Sequence, residues 1–384
     1  MNKNFLRALL PAGLLLTASF STGAEEVIDD SVSSEYQSLK LVRIADGLEH
    51  PWSLAFLPDG RMLVTERPGR LNLIDGGEVT EIGGVPDVHV QNQGGLLEVS
   101  VHPEYESEGS DWIYLTYSKA NGDGTTTALA RARLDGDELT DFEELFTQDR
   151  YSDPGRHYGS KLAWTADGKL LMSIGDRGAE PPRAQDLGDH AGKLLRLNDD
   201  GSVPEDNPFV DHDDALPEIY SYGHRNIQGL IVHPETGHIW ATEHGPRGGD
   251  ELNLVRAGEN YGWPEASKGL NYRTQEPYFE DTQRSVEGMI DPVIDWTPSI
   301  AASGLAYVPE DSAFEMWRGN LLAGGLRSEQ IRRVHFIDGE PVHEEELIRG
   351  KVGRIRDVRM GPEGWIYLLS DHSDGGLYRL EATE

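Results

Sequence analysis

One local pattern returns six times along this chain. An apolar strand runs into a turn rich in Pro, Asp and Gly, and a second apolar strand follows, as in LAFLPDGRMLVTE and LAWTADGKLLMSIGD. The copies begin at Leu54, Val99, Leu162, Leu230, Leu305 and Val358. Each copy has the pattern of a β-hairpin, and a single hairpin cannot bury its own apolar face. Hairpins stacked around an axis can, so the repeats predict an all-β fold, a six-bladed β-propeller.

The two ends of the chain differ from the repeats. Lys3 and Arg7 precede an apolar run, and small residues end it at Ala24, which predicts a secretory signal peptide over residues 1–24. The apolar run is too short to span a bilayer, so we expect no stable membrane insertion. Residues 25–39 are acidic and Ser-rich and are expected to form a flexible tail. Residues 40–384 then form one propeller domain that carries the catalytic site.

The composition excludes several classes of function. Asp and Glu total 67 against 34 Lys and Arg, which gives a net charge of −33. This charge argues against binding to nucleic acid or to anionic membranes. The chain has no cysteine, which excludes thiol catalysis, Cys-bound metals and disulfides. An acidic surface for solubility explains the charge, although the carboxylates could also supply calcium ligands.

Four arginines next to the hairpins are unusual in so acidic a chain: Arg225, Arg327, Arg354 and Arg356. Strand alternation puts the guanidinium groups of Arg354 and Arg356 on one face, where they repel unless an anion lies between them. That anion could belong to a salt-bridge network with Asp or Glu. It could also belong to a bound polycarboxylate, which Arg holds through bidentate hydrogen bonds.

The third hairpin is flanked by two residues able to transfer or stabilise a proton. His157 precedes it in GRHYGSKL and Asp176 follows it in SIGDRG, so both could face the same mouth of the propeller channel. A histidine in such a loop could be a general base near neutral pH or an ordinary structural residue.

The segment TEHGPRGGDELN has a backbone that glycine and proline force to be irregular. Such a loop after a strand can turn carbonyl oxygens inward, toward a hard cation, and Asp250 and Glu251 add carboxylates close by. A tight turn explains the glycines equally well. The chain has no zinc-protease motif, EF-hand loop, P-loop or dinucleotide fingerprint.

Several segments together resemble one enzyme family. QGGLL, HYGSKL, IGDRG, YGHRNIQGL, EHGPRGGDELN, NYGWP and RIRDV occur in the order seen in the soluble, PQQ-dependent glucose/sorbosone dehydrogenases, over roughly residues 40–382. This resemblance implies a periplasmic enzyme with PQQ and Ca²⁺ as cofactors. It implies oxidation of a monosaccharide or small oligosaccharide at C1 to the lactone. Electrons would pass to an external acceptor, a quinone or a cytochrome.

The resemblance also implies roles for the residues around the reaction. His157 matches the general base, Arg225 the arginine beside the reactive quinone carbonyl, and Gln93 and Asp176 the polar residues around the sugar and the histidine. The residues that match the cofactor-binding set are Arg225, Asn226, Arg327, Arg354 and Arg356.

Further residues match metal and sugar positions of the family. Gly245 and Pro246 match the carbonyls that bind the catalytic calcium, and Glu251 and the Tyr261 carbonyl resemble a second, structural calcium site. Trp296 matches an aromatic wall of the sugar site.

Three departures from the family pattern affect the site. Arg327 stands where relatives usually have Lys, and Arg156 precedes His157 where relatives have a short polar or acidic residue. A cation at Arg156 would lower the pKa of His157 if the two side chains are close. The stretch between Pro264 and Trp296 is short, which predicts an open, permissive sugar site.

Two other classes of function stay open from the residues alone. A calcium-dependent propeller hydrolase such as a lactonase would need carboxylate and Asn ligands converging on a channel metal. A propeller that only binds a partner would not need His157 or the arginine set.

Overall fold

Six antiparallel sheets surround a central axis in the computed structural model, which describes residues 25–107 and 109–383. The prediction of an all-β, six-bladed propeller is confirmed. The predicted signal peptide, residues 1–24, lies outside the described residues.

The first three blades follow the chain from the inside of the propeller outward. Blade 1 contains β3 (Pro51–Phe56), β4 (Met62–Glu66), β5 (Arg70–Asp75) and β6 (Glu78–Ile82). Blade 2 contains β7 (Leu96–Val101), β8 (Ile113–Asn121), β9 (Gly124–Asp135) and β10 (Glu138–Thr147). Blade 3 contains β11 (Leu162–Trp164), β12 (Leu170–Ile174), β13 (Lys193–Leu197) and β14 (Ile219–Tyr222).

The remaining blades continue this order until the last one, which takes strands from both chain ends. Blade 4 contains β15 (Ile227–Val232), β16 (Ile239–Glu243), β17 (Asp250–Val255) and β18 (Ile294–Trp296). Blade 5 contains β19 (Ala302–Tyr307), β20 (Leu321–Gly325), β21 (Gln330–Ile337) and β22 (Glu340–Leu347). Blade 6 contains β23 (Ile355–Met360), β24 (Ile366–Ser370), β25 (Gly375–Thr383), β2 (Ser38–Leu48) and β1 (Glu26–Val32).

Each sequence repeat forms the two innermost strands of one blade. The inner strands β3, β7, β11, β15, β19 and β23 contact one another around the axis. Five of the six second strands are buried along their whole length, as in LLMSI of β12 and IYLLS of β24, and β8 is exposed only toward its end. An apolar cluster fills each interface between adjacent blades, and burial of these faces drives the ring to close.

Helices contribute little to the fold. The described part of the chain has two short 3₁₀ helices, Pro181–Gln185 and Glu315–Trp317. Neither these nor any other described segment is a helix with the length and apolar character needed to cross a bilayer.

The prediction of a flexible tail over residues 25–39 is wrong for most of that segment. Residues 26–32 form β1, and β2 begins at Ser38. The reason is long-range pairing: Leu39 and Leu41 are fully buried, and Leu41 pairs with Leu380 of the last strand. The acidic residues of β1 find basic partners, since Lys351 donates to Asp29 at 2.5 Å.

Candidate active site

A cavity of about 480 Å³ lies at one mouth of the propeller. In an antiparallel hairpin the start of the first strand and the end of the second lie at the same edge, so loops from several blades meet there. Five blades supply its lining residues: His50, Trp52, Arg67, Gln93, Asn226, Gln228, His244, Ala301, Leu326, Arg354, Arg356, Asp371, His372 and Ser373.

Blade 3 places a buried histidine–carboxylate pair beside this cavity. His157 Nδ1 lies 2.6 Å from Asp176 Oδ1, and the His157 backbone N–H donates to Gln93 Oε1 at 2.8 Å. Gln93 also lines the cavity, so the histidine–carboxylate pair lies at the cavity edge. His157 has φ of +54°, a left-handed conformation that is uncommon for a residue with a side chain and is concentrated at functional sites.

Asp176 is held by three N–H donors. Besides His157 Nδ1, it accepts from the Gly178 backbone N–H at 2.8 Å and, through Oδ2, from Trp263 Nε1 at 2.7 Å. Because an ionised carboxylate only accepts, Nδ1 of His157 carries the proton and Nε2 keeps its lone pair. The pair is therefore arranged to present a basic nitrogen.

The charges around the pair keep it in this state. Burial lowers the pKa of His157, the charges of Arg225 and Arg156 lower it further, and Asp176 opposes them without reversing the shift. Burial acts to raise the pKa of Asp176, but His157, Arg225 and the Gly178 N–H outweigh it, and the net pKa is lowered. At neutral pH His157 is thus a neutral imidazole beside an ionised carboxylate.

Arg225 lies between this pair and the fourth blade. Its Nη1 donates to the His244 carbonyl at 3.0 Å, and its guanidinium lies 5.2 Å from the centre of the Trp263 ring. Its Nε is buried and has no hydrogen-bond partner among the described residues. Asn226 lines the cavity, and its Oδ1 accepts from the Gly159 N–H at 3.1 Å.

Arg354 and Arg356 both lie beside a carboxylate of the protein, that of Asp371. Asp371 Oδ2 lies 2.5 Å from Arg356 Nη2 and 3.6 Å from Arg354 Nη2, so a salt bridge relieves part of their repulsion. Arg356 is buried over the ring of Trp52 at 4.0 Å, and its Nε finds no partner within residues 25–107 and 109–383. Arg354 is about half exposed. The salt bridge leaves donor capacity in Arg356 for a second anion.

The Gly245-Pro246 loop is fixed by Asp250. Asp250 Oδ1 accepts from the Gly245 N–H at 3.0 Å, and Oδ2 accepts from Ser299 Oγ at 2.6 Å. A Cβ on Gly245 would approach the Gly249 carbonyl oxygen to 2.1 Å, so only glycine fits. In the part of the chain that the structure describes, the Gly245 and Pro246 carbonyls accept no hydrogen bond.

No described group of three or more His, Asp or Glu side chains is arranged to hold a metal ion. A cation at the Gly245-Pro246 loop would therefore need backbone carbonyl oxygens, which suit a hard ion such as Ca²⁺.

Half-buried Glu251 and buried Tyr261 lie in one cluster with buried Glu243. Asn253 Nδ2 donates to Glu243 Oε1 at 2.8 Å and to Glu251 Oε2 at 3.0 Å. Tyr261 stacks at 4.6 Å on His224, whose Nδ1 lies 3.0 Å from Glu243 Oε1. Burial, and then the charge of Glu243, raise the pKa of Glu251 well above its usual value. A cation would relieve the repulsion between these two carboxylates.

Two of the predicted site residues lie elsewhere. Trp296 is on β18 in the apolar interface between blades 4 and 5, and its Nε1 donates to Glu344 Oε2 at 2.7 Å. The side chain of Arg327 is exposed. Both residues line a second cavity of about 480 Å³ between these blades. The structure therefore gives no support to Trp296 as a wall of the histidine-side cavity or to Arg327 as a ligand in it.

Sequence reasoning missed four residues of the site. Trp263 holds both Asp176 and Arg225, while Trp52, His244 and Asp371 line the cavity. Trp263 could have been identified from the sequence, because it lies in NYGWP, one of the segments that carry the family resemblance. Burial lowers the pKa of His244 to about 4, and its Nε2 has no partner among the described residues.

This fold and site define a class: a six-bladed propeller with a buried His–Asp pair beside an arginine-lined cavity at one mouth. Residues 48–379 match the family model described as Glucose / Sorbosone dehydrogenase. The chain belongs to the glucose/sorbosone dehydrogenase family.

Curated relatives match nearly the whole chain. Aldose sugar dehydrogenase YliI of Escherichia coli K12 is 40% identical over 344 residues, which cover 88% of this chain and 91% of the relative. Quinoprotein glucose dehydrogenase B of Acinetobacter calcoaceticus is 30% identical over 459 residues, covering 97% and 94%.

Solved structures of similar proteins share the architecture. The soluble aldose sugar dehydrogenase of Escherichia coli in its apo form superposes with a TM-score of 0.85 at 37% identity, over 90% of this chain and 100% of that one. The PQQ-bound form of aldose sugar dehydrogenase from Streptomyces coelicolor gives a TM-score of 0.74 at 28% identity, over 92% and 100%.

Proposed function

We propose that this protein is a PQQ- and Ca²⁺-dependent aldose dehydrogenase that oxidises sugars at C1 to the lactone. The observation that carries the proposal is His157, a neutral, buried base whose tautomer Asp176 fixes, next to a cavity with unsatisfied arginine donors. The names of the relatives, an aldose sugar dehydrogenase and a quinoprotein glucose dehydrogenase, support it.

The residues present fit the cofactor. PQQ is a flat tricarboxylate with an ortho-quinone, and the buried Nε atoms of Arg225 and Arg356 lack partners among the described residues. Asn226 and Arg354 would add polar contacts, and the Gly245 and Pro246 carbonyls would hold Ca²⁺. When bound, the quinone accepts hydride and the cation polarises its carbonyl oxygen.

The protein supplies the proton transfer. Nε2 of His157 would take the proton of the C1 hydroxyl, which makes the C1 hydrogen a better hydride donor. The charge on the resulting imidazolium is stabilised by Asp176, which stays ionised. Arg225 would stabilise negative charge that develops beside it. Gln93 keeps the His157 backbone at the cavity edge.

Location and partners extend the same proposal. Residues 1–24 would export the chain to the periplasm, where a monosaccharide or small oligosaccharide is oxidised. Electrons would leave to an external acceptor, a quinone or a cytochrome.

A dye-reduction assay tests the proposal. Purified apoprotein should reduce an artificial dye with glucose only when both PQQ and Ca²⁺ are added, and omission of either should abolish the reaction. Full activity after EDTA treatment with no metal restored would refute the calcium requirement. Hydrolysis of a lactone with Ca²⁺ alone, and no dye reduction, would instead establish the hydrolase alternative.

A further inference from the structure

A second histidine–carboxylate pair faces the mouth cavity from the junction of blades 6 and 1. His50 lies between β2 and β3, and its Nδ1 is 2.9 Å from Oδ1 of Asp371, which follows β24. Both residues line the cavity, together with Gln93 and Arg356. Asp371 also forms the salt bridge with Arg356, the arginine assigned above to the cofactor. The His50–Asp371 pair therefore shares the chamber of the proposed reaction, which so far gives it no role.

His50 has an unusual backbone conformation, as His157 does. Its φ is +50°, in the left-handed region, and the following Pro51 restricts the backbone of His50 further. Two hydrogen bonds hold this conformation: the His50 N–H donates to the His372 carbonyl at 2.7 Å, and the His50 carbonyl accepts from the Arg67 N–H at 3.1 Å. Strained backbone of this kind is concentrated at functional sites.

The charge state of Asp371 decides which nitrogen of His50 carries a proton. Burial acts to raise the pKa of Asp371, but the charge of Arg356, the hydrogen bond from His50 and the charge of Arg354 outweigh it, and the net pKa is lowered. An ionised carboxylate only accepts, so Nδ1 of neutral His50 carries the proton. Nε2 then keeps its lone pair and is free to take a proton.

The proposed reaction has to release protons as well as electrons. Oxidation of a sugar at C1 leaves two electrons and two protons on the enzyme, and both electrons go on to the external acceptor. A one-electron carrier such as a cytochrome takes no proton, so both protons have to reach water. The side chain of His157 is 10% exposed and that of His50 is 30% exposed. His50 is thus the better placed of the two to pass a proton to water.

We propose that His50 carries these protons from the reduced cofactor to water while a one-electron acceptor takes the electrons. With each electron that leaves, an O–H bond of the cofactor breaks and an N–H bond forms at Nε2 of His50. The imidazolium then gives that proton to water at the mouth. Asp371 stabilises the imidazolium as Asp176 does at His157. The inference rests on the proposed function, because that function supplies the reduced cofactor and the acceptor.

The test uses His50→Asn, which removes the basic nitrogen and keeps the other features of the residue. Asn tolerates a positive φ, and its amide N–H can replace Nδ1–H as the donor to Asp371. His372→Asn is the comparison at the same cavity. Nδ1 of His372 accepts from the Asp374 N–H at 3.1 Å, so the proton of the neutral ring is on Nε2, and no free basic nitrogen is lost.

Stopped-flow absorbance measures the two halves of the turnover separately in the PQQ- and Ca²⁺-loaded protein. Protein loaded with chemically reduced PQQ is mixed anaerobically with ferricyanide, a one-electron acceptor, at about pH 8, so no sugar is needed. His50→Asn should slow this reoxidation by about 10²-fold, the lower end of the range for a positioned base, because water at the open mouth competes. His372→Asn should slow it far less. Reduction by glucose, which His157 starts, should change by less than about threefold in His50→Asn.

Reoxidation in His50→Asn as fast as in wild type, or equal slowing in both histidine variants, would overturn the inference. Heteronuclear NMR of the histidine rings in the apoprotein adds a measurement that needs no cofactor. The neutral His50 ring should carry its proton on Nδ1, and a proton on Nε2 would also refute the inference. If reoxidation depends on His50 but glucose does not reduce the loaded protein, the inference stands and only the proposed sugar oxidation fails.

Discussion

Replacing Asp176 with Asn tests how the base is held. The carboxylate accepts three N–H donors, from His157, Gly178 and Trp263, at 2.6 to 2.8 Å. An amide of the same shape offers one acceptor and one donor group, so it cannot satisfy all three. If its nitrogen faces His157, the imidazole must accept at Nδ1, and its proton moves to Nε2, where the base is needed.

The expected loss is large. A wrong tautomer at a His–Asp base lowers kcat by about 10³- to 10⁴-fold. Placing the amide oxygen toward His157 instead would set the amide nitrogen against the Trp263 N–H, at a cost of about 1–3 kcal/mol for unsatisfied buried groups. Either orientation also removes the charge that stabilises the imidazolium.

The second substitution, Trp263→Phe, makes the test specific. Without the indole N–H, the amide of Asp176→Asn can turn its nitrogen toward the phenyl ring and its oxygen toward His157. Asp176→Asn/Trp263→Phe should therefore be about tenfold or more faster than Asp176→Asn alone. The kcat of Trp263→Phe by itself should fall by less than about tenfold.

The assay measures kcat for dye reduction at saturating glucose, PQQ and Ca²⁺. It is run at about pH 8 so that histidine is neutral, and thermal unfolding of each variant is the folding control. A double variant that is as slow as Asp176→Asn, or slower, would refute this account of the pair.

Three further results are expected. His157→Ala should lower kcat by about 10²- to 10⁴-fold while PQQ binding, measured by titration, survives; retention of more than about a tenth of kcat would place the base elsewhere. Arg356→Ala should weaken PQQ binding by about 10- to 150-fold, and half-exposed Arg354 should matter less; a raised KM for sugar with unchanged PQQ affinity would contradict the assignment. In wild type kcat should fall on acidification only below about pH 6.5, because burial lowers the pKa of His157, and Arg156→Gln should move that fall to higher pH by removing a cation that lowers the same pKa. A pH profile unchanged by Arg156→Gln would mean that this charge does not act on the base.

The fold was predictable because its signals are local. Each inner hairpin combines apolar alternation with a Pro/Asp/Gly turn, and both can be read within about 15 residues. The segment 25–39 was not predictable in this way, since β1 and Leu39 are held by β2, which pairs with a strand more than 300 residues away. Its acidic composition alone is typical of a tail.

The arrangement of the candidate site could also be predicted only where its residues are close in sequence. His157 and Asp176 flank one hairpin, so their proximity followed from local pattern. Trp263 lies 87 residues from Asp176, and only the closed ring brings the two together. The packing of Trp296 was unpredictable for a related reason: it depends on the facing strand of blade 5, which its own segment does not reveal.

The shared sixth blade sets the order in which the molecule can be completed. Ser38 pairs with Thr383, and Leu48 with Gly375, so β2 can join its sheet only after β25 has been made. A chain released in the N-to-C direction can form five blades as consecutive hairpins, but its ring stays open until the nine residues of β25 arrive. Deletion of Gly375–Thr383 would therefore leave β24 and β2 without their common neighbour and unlock the whole ring, although it removes only the end of the chain.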